Sequence, residues 1–282
     1  MVLWNKRILS ILKSPKWKYT LVTYLIAILF VFPVFWILLM SLRTPVEAFA
    51  IPPKLIFKPI LDNFILVFRN SLFVHTYLNS FCIAIGASLL SLTLGIPAAY
   101  ALTRFRFKGR KILSFWILVT RMAPASALVV AFFMILHRLR MLDTYFGLVL
   151  VYMTFNIGYV IWMMRGFILS VPIECEEAGI VDGCSRLETF WFIALPVCVP
   201  GIVSVGIQVF IFSWNEFLYA LILTRNTFKT APIAVLSYIT NEGIKWGELA
   251  AACILVVLPV LVLALGIQRY IISGLTMGAV KS

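Results

Sequence analysis

Six long apolar runs constrain this chain of 282 residues more than any other feature. They lie at about 19–42, 76–102, 112–136, 145–169, 199–224 and 249–272. A helix of about 20 predominantly apolar residues can cross the hydrocarbon core of a bilayer, and every run reaches that length. The pattern therefore predicts an all-α integral membrane protein with six transmembrane helices.

The composition agrees with a membrane protein. Hydrophobic residues make up 62% of the chain and charged residues 12%, whereas a soluble domain has about 25% charged residues. The net charge of +13 would also suit a protein that binds nucleic acid. However, the basic residues flank the apolar runs and form no stripe interleaved with polar surface, so membrane lipid is the expected partner and nucleic acid is not.

The apolar runs have two features that bear on their structure. Most contain a proline, which a spanning helix tolerates when neighbouring groups satisfy the freed carbonyl; these are Pro33, Pro97, Pro124, Pro200 and Pro259. The first run is too long for the apolar part of a signal peptide, which favours an uncleaved anchor.

Two dense basic clusters indicate the orientation in the membrane. One precedes the first run, and the other follows the second run and contains Arg104, Arg106, Lys108, Arg110 and Lys111. Excess Lys and Arg mark cytoplasmic flanks, so both clusters are expected inside the cell. With six spans, both termini and the loop between the fourth and fifth runs are then cytoplasmic.

That loop is unusually acidic for a chain this apolar. Five of the 11 acidic residues lie within 15 positions, and they are Glu174, Glu176, Glu177, Asp182 and Glu188. Pro172 suits the first turn of a helix, and Asp182-Gly183 suits its end. Ser185 and Glu188 have the spacing of a capping box that opens a second short helix, which is expected to end near Pro196. The pattern predicts a helix–turn–helix at the membrane surface that presents carboxylates to a cytosolic partner; a solvated loop with ordinary caps is the alternative.

The loop resembles the EAA motif of binding-protein-dependent ABC importer permeases. Glu177-Ala178-Gly179, then Gly183 and Ile193-x-Leu195-Pro196 have the spacing of that motif, with Gly179 in place of its second alanine. The segments 98–109, Trp214-Asn215-Glu216-Phe217 and 274–281 are similar to other segments of the carbohydrate, maltose-type permeases, as is Pro52-Pro53 with Asn63-Phe64.

The resemblance implies a type I ABC importer transmembrane domain. Such a subunit would work with a second homologous permease, two copies of a cytosolic ATPase and an external solute-binding protein, in the plasma membrane of a prokaryote. ATP and Mg would bind to the ATPase, and no cofactor or catalytic residue is expected here, since the chain has no G-x-x-x-x-G-K-[ST] motif. The residues implied in docking the ATPase are Glu174, Glu176, Glu177, Ala178, Gly179, Asp182, Gly183, Leu195 and Pro196. The loop 225–248 is expected to contact the binding protein.

Polar residues within the apolar runs are candidates for the substrate path. Arg121 and Glu216 are the clearest charges inside runs, and a charge at the membrane centre costs about 2.5–3.5 kcal/mol, so we expect them to form a pair or a shared polar network. Sugars present hydroxyl edges and apolar faces, which amides and aromatic rings suit. The candidates are therefore Arg121, Asn156, Gln208, Trp214, Asn215, Glu216 and Tyr219, with helix–helix packing as the alternative for each.

Two other classes of function remain open from the residues. An ion-coupled secondary transporter would use Arg121 and Glu216 as coupling groups, and the absence of evident internal repeats weighs against it. A membrane enzyme would need a nucleophile–base pair or a metal cluster, and neither histidine suggests one. The five cysteines have no paired spacing, so free thiols are expected and a metal site is not.

The expected organisation has three parts: 1–75 with the first span and first external loop, 76–272 as the transmembrane domain with the coupling loop at 170–198, and a cytoplasmic tail at 273–282. The sequence names neither the sugar nor the permease that holds the main substrate site.

Overall fold

The computed structural model describes residues 16–48, 50 and 56–279, and residue 16 and residues 267–279 by their backbone alone. Lys6, Arg7 and Lys13 of the basic cluster before the first run, Pro52-Pro53, and residues 280–282 of the expected tail lie outside the described residues. The helices are α1 (Lys16–Ser41), α2 (Pro45–Ala48), α3 (Asp62–Arg69), α4 (Ser71–Arg104), α5 (Arg110–Met122), α6 (Ala125–Arg138), α7 (Tyr145–Ser170), α8 (Ile173–Val181), α9 (Arg186–Glu188), α10 (Leu195–Val197), α11 (Val199–Trp214), α12 (Leu218–Leu223), α13 (Ala231–Ala234) and α14 (Trp246–Ala279). A π-helix, Thr189–Ala194, joins α9 to α10, a 3₁₀-helix covers Val235–Tyr238, and two short strands are β1 (Ile239–Thr240) and β2 (Gly243–Ile244).

Four helices are long and apolar enough to cross a membrane: Trp17–Ser41 of α1, α4, α7 and Trp246–Gly266 of α14. The predictions of helical runs at 19–42, 76–102 and 145–169 are confirmed by α1, α4 and α7, and the run at 249–272 lies within α14. Two further pairs of helices pass the same test together but are bent, so the described residues contain up to six spans.

The run at 112–136, which the sequence predicts as one span, forms two helices. α5 and α6 meet at 96°, and the break falls on Ala123 and Pro124, which are both extended. Proline disfavours the helical conformation in the residue before it, so Ala123 leaves the helix. A second bend of 76° separates Arg186–Val197 from α11. The run at 199–224 is also interrupted, because α11 ends at Trp214 and α12 starts at Leu218.

The described residues divide into two units by their contacts. The first contains the segments up to Arg69 together with Tyr238–Leu255. Its polar centre is Asn63, whose Nδ2 donates to the carbonyls of Ser41 (2.8 Å) and Arg43 (2.9 Å). The Arg43 side chain is buried and lies over the rings of Trp36 and Phe57. These contacts join α3 to the end of α1, while most of α1 exposes apolar side chains.

The second unit contains Asn70–Ser237 and the part of α14 from Val256. Its core is α4 packed along α7, with α11 against both. A Cβ atom added at Gly95 on α4 would approach within 2.6 Å of the Val160 side chain on α7. Small residues let helix backbones approach closely within a membrane, which explains the glycine. The Ser88 and Ser91 hydroxyls are buried beside it and donate to carbonyls one turn earlier in α4, so no polar hydrogen is left unpaired there.

Polar contacts fix the loop that follows α12 to the second unit. The Asp143 carboxylate accepts hydrogen bonds from the backbone N–H groups of Asn226, Thr227 and Phe228 at 3.0–3.1 Å. Asn79 of α4 donates to two carbonyls of the same loop. Partial burial of Asp143 raises the pKa of its carboxyl, but the backbone N–H groups at 225–228 stabilise the carboxylate more strongly, so the pKa lies below its ordinary value. We call this arrangement the Asp143 clasp.

Gly95→Val should destabilise the protein by crowding α4 against α7. Overpacking of this kind costs about 1–3 kcal/mol. Gly166→Val on α7 is the matched control, because nothing lies within 4 Å of a Cβ added there. Thermal unfolding in detergent should show a lower midpoint for the Gly95 variant alone, and equal midpoints for the two variants would contradict this packing.

The Asp143 clasp should persist at mildly acidic pH. The pKa of Asp143 is lower in the folded protein than the ordinary carboxyl value of about 4. The clasp therefore stabilises the fold fully at pH values above the ordinary pKa, and this stabilisation is lost only as the pH falls through the lower folded pKa. Hydrogen exchange of the 226–228 amides, corrected for intrinsic rates, should therefore be unchanged between pH 7 and 5. Asp143→Asn should accelerate exchange at both pH values, and Glu242→Gln, on the exposed tip of the loop, should not.

Candidate functional site

The acidic loop, defined as residues 170–198, starts with a helix that has the predicted ends. Pro172 is the residue before α8, and the helix stops at Val181. Gly183 has φ +98°, a conformation that L side chains rarely adopt. The N–H groups of Gly183 and Cys184 bond back to the carbonyls of Ile180 and Gly179, which satisfies the end of the helix.

The predicted capping box opens the second half of the acidic loop. The Ser185 hydroxyl accepts from the Glu188 N–H, and the Glu188 carboxylate accepts from the Ser185 N–H at 2.7 Å. From Arg186 the chain stays helical to Val197, with the π-helix in its centre. Phe190 of the π-helix is buried against the Tyr100 ring, with 4.8 Å between ring centroids.

Glu176 joins the acidic loop to the end of α4. Its Oε1 accepts from Arg104 Nε at 2.8 Å and lies 2.7 Å from Arg104 Nη2, and its Oε2 accepts from the Tyr100 hydroxyl at 2.8 Å. Both charged side chains are buried, at 10% exposure for Arg104 and 6% for Glu176. We call these three residues the Arg104 latch.

Arg104 also holds the end of α7. Its Nη2 donates to the carbonyls of Ile168 (2.9 Å) and Val171 (2.8 Å) at the end of the helix, where the Val171 carbonyl has no intrahelical partner. The Ile168 carbonyl also accepts from the Val171 N–H. One guanidinium therefore connects the ends of α4 and α7 with the start of α8. Removing one member of a buried ion pair commonly costs about 3–5 kcal/mol, because the other charge is left without compensation.

The latch divides the acidic loop into an inner and an outer face. The expectation that Glu176 presents its carboxylate to the cytosol is wrong, since both of its oxygens are bonded within the chain. Gly179 also faces inward, against Ile193. The outer face, by contrast, consists of exposed residues, and these are Glu174, Glu177, Ala178, Asp182, Gly183 and Pro196, while Leu195 is partly buried.

Sequence reasoning did not identify Tyr100 and Arg104 as members of this site. The spacing of four places both residues on one face of the last turn of α4. In the sequence, Arg104 is one of several basic residues that mark a cytoplasmic flank, so nothing distinguishes it from its neighbours. Its carboxylate partner, Glu176, lies 72 positions further along the chain. The pairing could not be read without the packing of α4 on α7.

The predicted Arg121–Glu216 pair is not formed. Arg121 Nη1 donates to the Phe155 carbonyl at 3.1 Å, and the guanidinium lies over the rings of Tyr159 and Phe212. The Glu216 carboxylate instead accepts from the Tyr219 N–H at 2.9 Å, which caps the start of α12. Aromatic faces and a carbonyl oxygen stabilise the Arg121 cation, and a backbone N–H group at the start of α12 stabilises the Glu216 carboxylate.

The remaining candidates for the substrate path fall into two groups, those that are buried between helices and those that reach the surface. Trp214 is buried and donates from Nε1 to the Val256 carbonyl, and buried Asn156 donates to the Ser213 hydroxyl. Tyr219 is buried in a ring stack with Phe155. These three residues make helix–helix contacts. Asn215 is exposed and Gln208 is partly buried, so they, with Arg121 and Glu216, reach the surface of the described residues.

The helices and the acidic loop define a multi-pass α-helical membrane protein. The chain belongs to the family of binding-protein-dependent transport system inner membrane components, whose model matches residues 91–276. Members of this family are subunits of transporters in the inner membrane and are not enzymes themselves. The matched region contains the last 14 residues of α4, all three residues of the Arg104 latch and the whole acidic loop.

Two characterised relatives are sugar permeases. The chain is 35% identical over 255 residues to the trehalose transport system permease protein SugB of Mycobacterium tuberculosis, covering 88% of this chain and 92% of the relative. It is 33% identical over 261 residues to the trehalose/maltose transport system permease protein MalG of Thermococcus litoralis, covering 91% and 94%. The resemblance to carbohydrate ABC importer permeases is therefore confirmed.

The fold also matches that of a solved transporter. A crystal structure of a bacterial ABC transporter involved in the import of the acidic polysaccharide alginate superimposes with a TM-score of 0.76, covering 94% of this chain and 97% of that one. At 22% identity, this likeness describes the fold alone.

Glu176→Gln should destabilise the protein more than Glu177→Gln. The first substitution leaves the Arg104 guanidinium buried without its counter-charge, and the second removes an exposed charge one residue away. Thermal unfolding in detergent should show a lower midpoint for Glu176→Gln, with a loss of about 3–5 kcal/mol at most, and little change for Glu177→Gln. Equal midpoints would show that the latch does not hold the loop.

Proposed function

We propose that this chain forms half of the translocation pore of an ATP-driven, binding-protein-dependent importer for a sugar or sugar-like solute. The acidic loop would seat in a cytosolic ATPase subunit and transmit its motion to the spans. The observation that carries this proposal is the two-sided loop. Its outer carboxylates are exposed, while Glu176 ties its inner face to α4 and α7. Family membership and the sugar permeases among its relatives support the solute class.

The outer face of α8 suits a basic partner. Glu174 and Glu177 are exposed on the helix, and Asp182 follows at its end. Charge-assisted hydrogen bonds from arginine or lysine side chains of the ATPase could contribute about 1.5–3 kcal/mol each. Ala178 and Gly183 carry little or no side chain, so they allow a close approach between the partner and the backbone of the loop.

The Arg104 latch would make the acidic loop move with the membrane helices. Arg104 bonds Glu176 and the end of α7 together, so a displacement of α8 pulls on two spans at once. Moving a pore from about 1:99 to 99:1 between its two states requires roughly 5.5 kcal/mol of differential binding. Closure of the ATPase and docking of the solute-binding protein would supply it together, and this chain would perform no covalent chemistry.

The assembly would be heteromeric. Counting each bent pair of helices as one span gives six spans, with both termini and the acidic loop in the cytoplasm. A second homologous permease would complete the pore, and two ATPase copies would bind ATP and Mg. The apolar surface of α1 suits contact with that permease or with lipid.

The loop between α12 and α14 would meet the solute-binding protein outside the cell. Its first part, 225–231, is held by the Asp143 clasp and by Ser80, whose hydroxyl accepts from the Ala231 N–H at 2.7 Å. Its tip is the exposed hairpin of β1 and β2, which carries Asn241 and Glu242 at the turn. The exposed tip would offer Asn241 and Glu242 to the solute-binding protein.

Reversing the outer charges should detach the ATPase. The double variant Glu174→Lys and Glu177→Lys should lose both co-purification of the ATPase and solute uptake, because like charges would then face the basic partner. Asp62→Lys with Glu47→Lys is a control that changes the net charge equally at exposed or partly exposed sites outside the acidic loop. Unchanged thermal unfolding would show that the double variant folds. Retained ATPase and uptake would overturn the proposed function.

A further inference from the structure

The turn after α4 carries four cations that pair with no carboxylate among the described residues. We call residues 106–111 the basic turn; it contains Arg106, Lys108, Arg110 and Lys111 and no acidic residue. Among the described residues, the ion pairs are Arg104–Glu176 and Lys245–Glu248, so the four cations of the basic turn have no carboxylate partner there. Arg110 makes one weak contact, from Nη1 to the Phe105 carbonyl at 3.3 Å.

The basic turn lines an open crevice at the surface of the chain. Gly109 has φ +86°, which allows the chain to reverse between α4 and α5. The crevice has a volume of about 580 Å³ and is lined by Arg106, Phe107, Gly109, Arg110, Lys111 and Ile112. That volume admits a phosphate headgroup, and three cationic side chains line it.

The helix that follows the crevice begins with exposed apolar side chains. α5 contains no buried residue. Ile112, Phe115 and Trp116 are each at least 60% exposed, directly after the basic residues. A helix that begins with Arg-Lys and continues with exposed aromatic and aliphatic residues has the composition of a membrane interface.

We propose that the basic turn binds the phosphate of an acidic membrane phospholipid, with the acyl chains along the start of α5. Clusters of Lys and Arg next to a spanning helix attract anionic lipids. The exposed apolar side chains favour a phospholipid over free phosphate, which would leave them uncovered, and over an acidic protein surface, which would not need them. The side of the membrane rests on the proposed function: Arg104 places the basic turn beside the acidic loop, and therefore in the cytoplasmic leaflet.

The proposal can be tested by photolabelling the purified complex in mild detergent. Photoactivatable phosphatidylglycerol and phosphatidylcholine would be compared, and adducts on the 105–118 region would be quantified by peptide mass spectrometry. The test variant carries Arg106→Gln, Lys108→Gln, Arg110→Gln and Lys111→Gln. The matched control carries Arg69→Gln, Arg138→Gln, Arg140→Gln and Arg225→Gln, which removes the same charge from four exposed sites elsewhere.

Phosphatidylglycerol should label this region at least tenfold more than phosphatidylcholine. The test variant should lose that excess, the control should keep it, and millimolar inorganic phosphate should not compete. Equal labelling by the two lipids, or an excess that survives the four substitutions, would overturn the proposal. So would full competition by phosphate, which would indicate a free-anion site.

Co-purification of the ATPase distinguishes failure of the lipid proposal from failure of the proposed function. If the test variant loses the ATPase, the basic turn is a protein interface and the lipid proposal fails. If the Glu174 and Glu177 variant keeps the ATPase but phosphatidylglycerol still labels the turn selectively, the proposed function fails and the lipid site stands. Equal unfolding midpoints of test and control variants would show that both are folded.

Discussion

The buried ion pair between Arg104 and Glu176 holds the acidic loop against α4 and α7, and the position of that loop decides which of its carboxylates are exposed. A guanidinium in a dry position needs a counter-charge and hydrogen-bond acceptors. Here it finds a carboxylate on α8 and the carbonyls of Ile168 and Val171 at the end of α7. The arrangement joins the ends of α4 and α7 to the start of α8, and it leaves the opposite face of α8 exposed.

Breaks in the helices matter as much as the helices themselves. Pro124 separates α5 from α6 at 96°, and α5 packs only partly against α7, so it has no fully buried residue. After the break at Trp214, the Glu216 carboxylate accepts from the Tyr219 N–H at the start of α12. It therefore does not need Arg121 as a counter-charge. Each charge within the runs is instead stabilised locally, Arg121 by aromatic faces and Glu216 by the start of a helix.

Much of the fold and the outline of the site could be predicted from the sequence because both rest on local chemistry. Apolar length located α1, α4 and α7, while Gly183 and the Ser185–Glu188 capping box located the ends of the loop helices. The individual roles within the site were harder to predict. Glu174, Glu176 and Glu177 are alike in sequence, and only the position of α8 against α4 decides that Glu176 faces inward.

The sequence by itself determined that the chain lies in a membrane, where its long helices run, and that an acidic helical loop interrupts them, because hydropathy and capping act over a few neighbouring residues. Only the tertiary structure decided which charges pair, which candidates of the substrate path are packing residues, and which face of the loop is free. Those outcomes depend on residues 40 to 85 positions apart, such as Trp214 with Val256 or Asp143 with Phe228. The packing of the helices decides whether such residues come within hydrogen-bond distance, and a local sequence pattern contains no information about that packing.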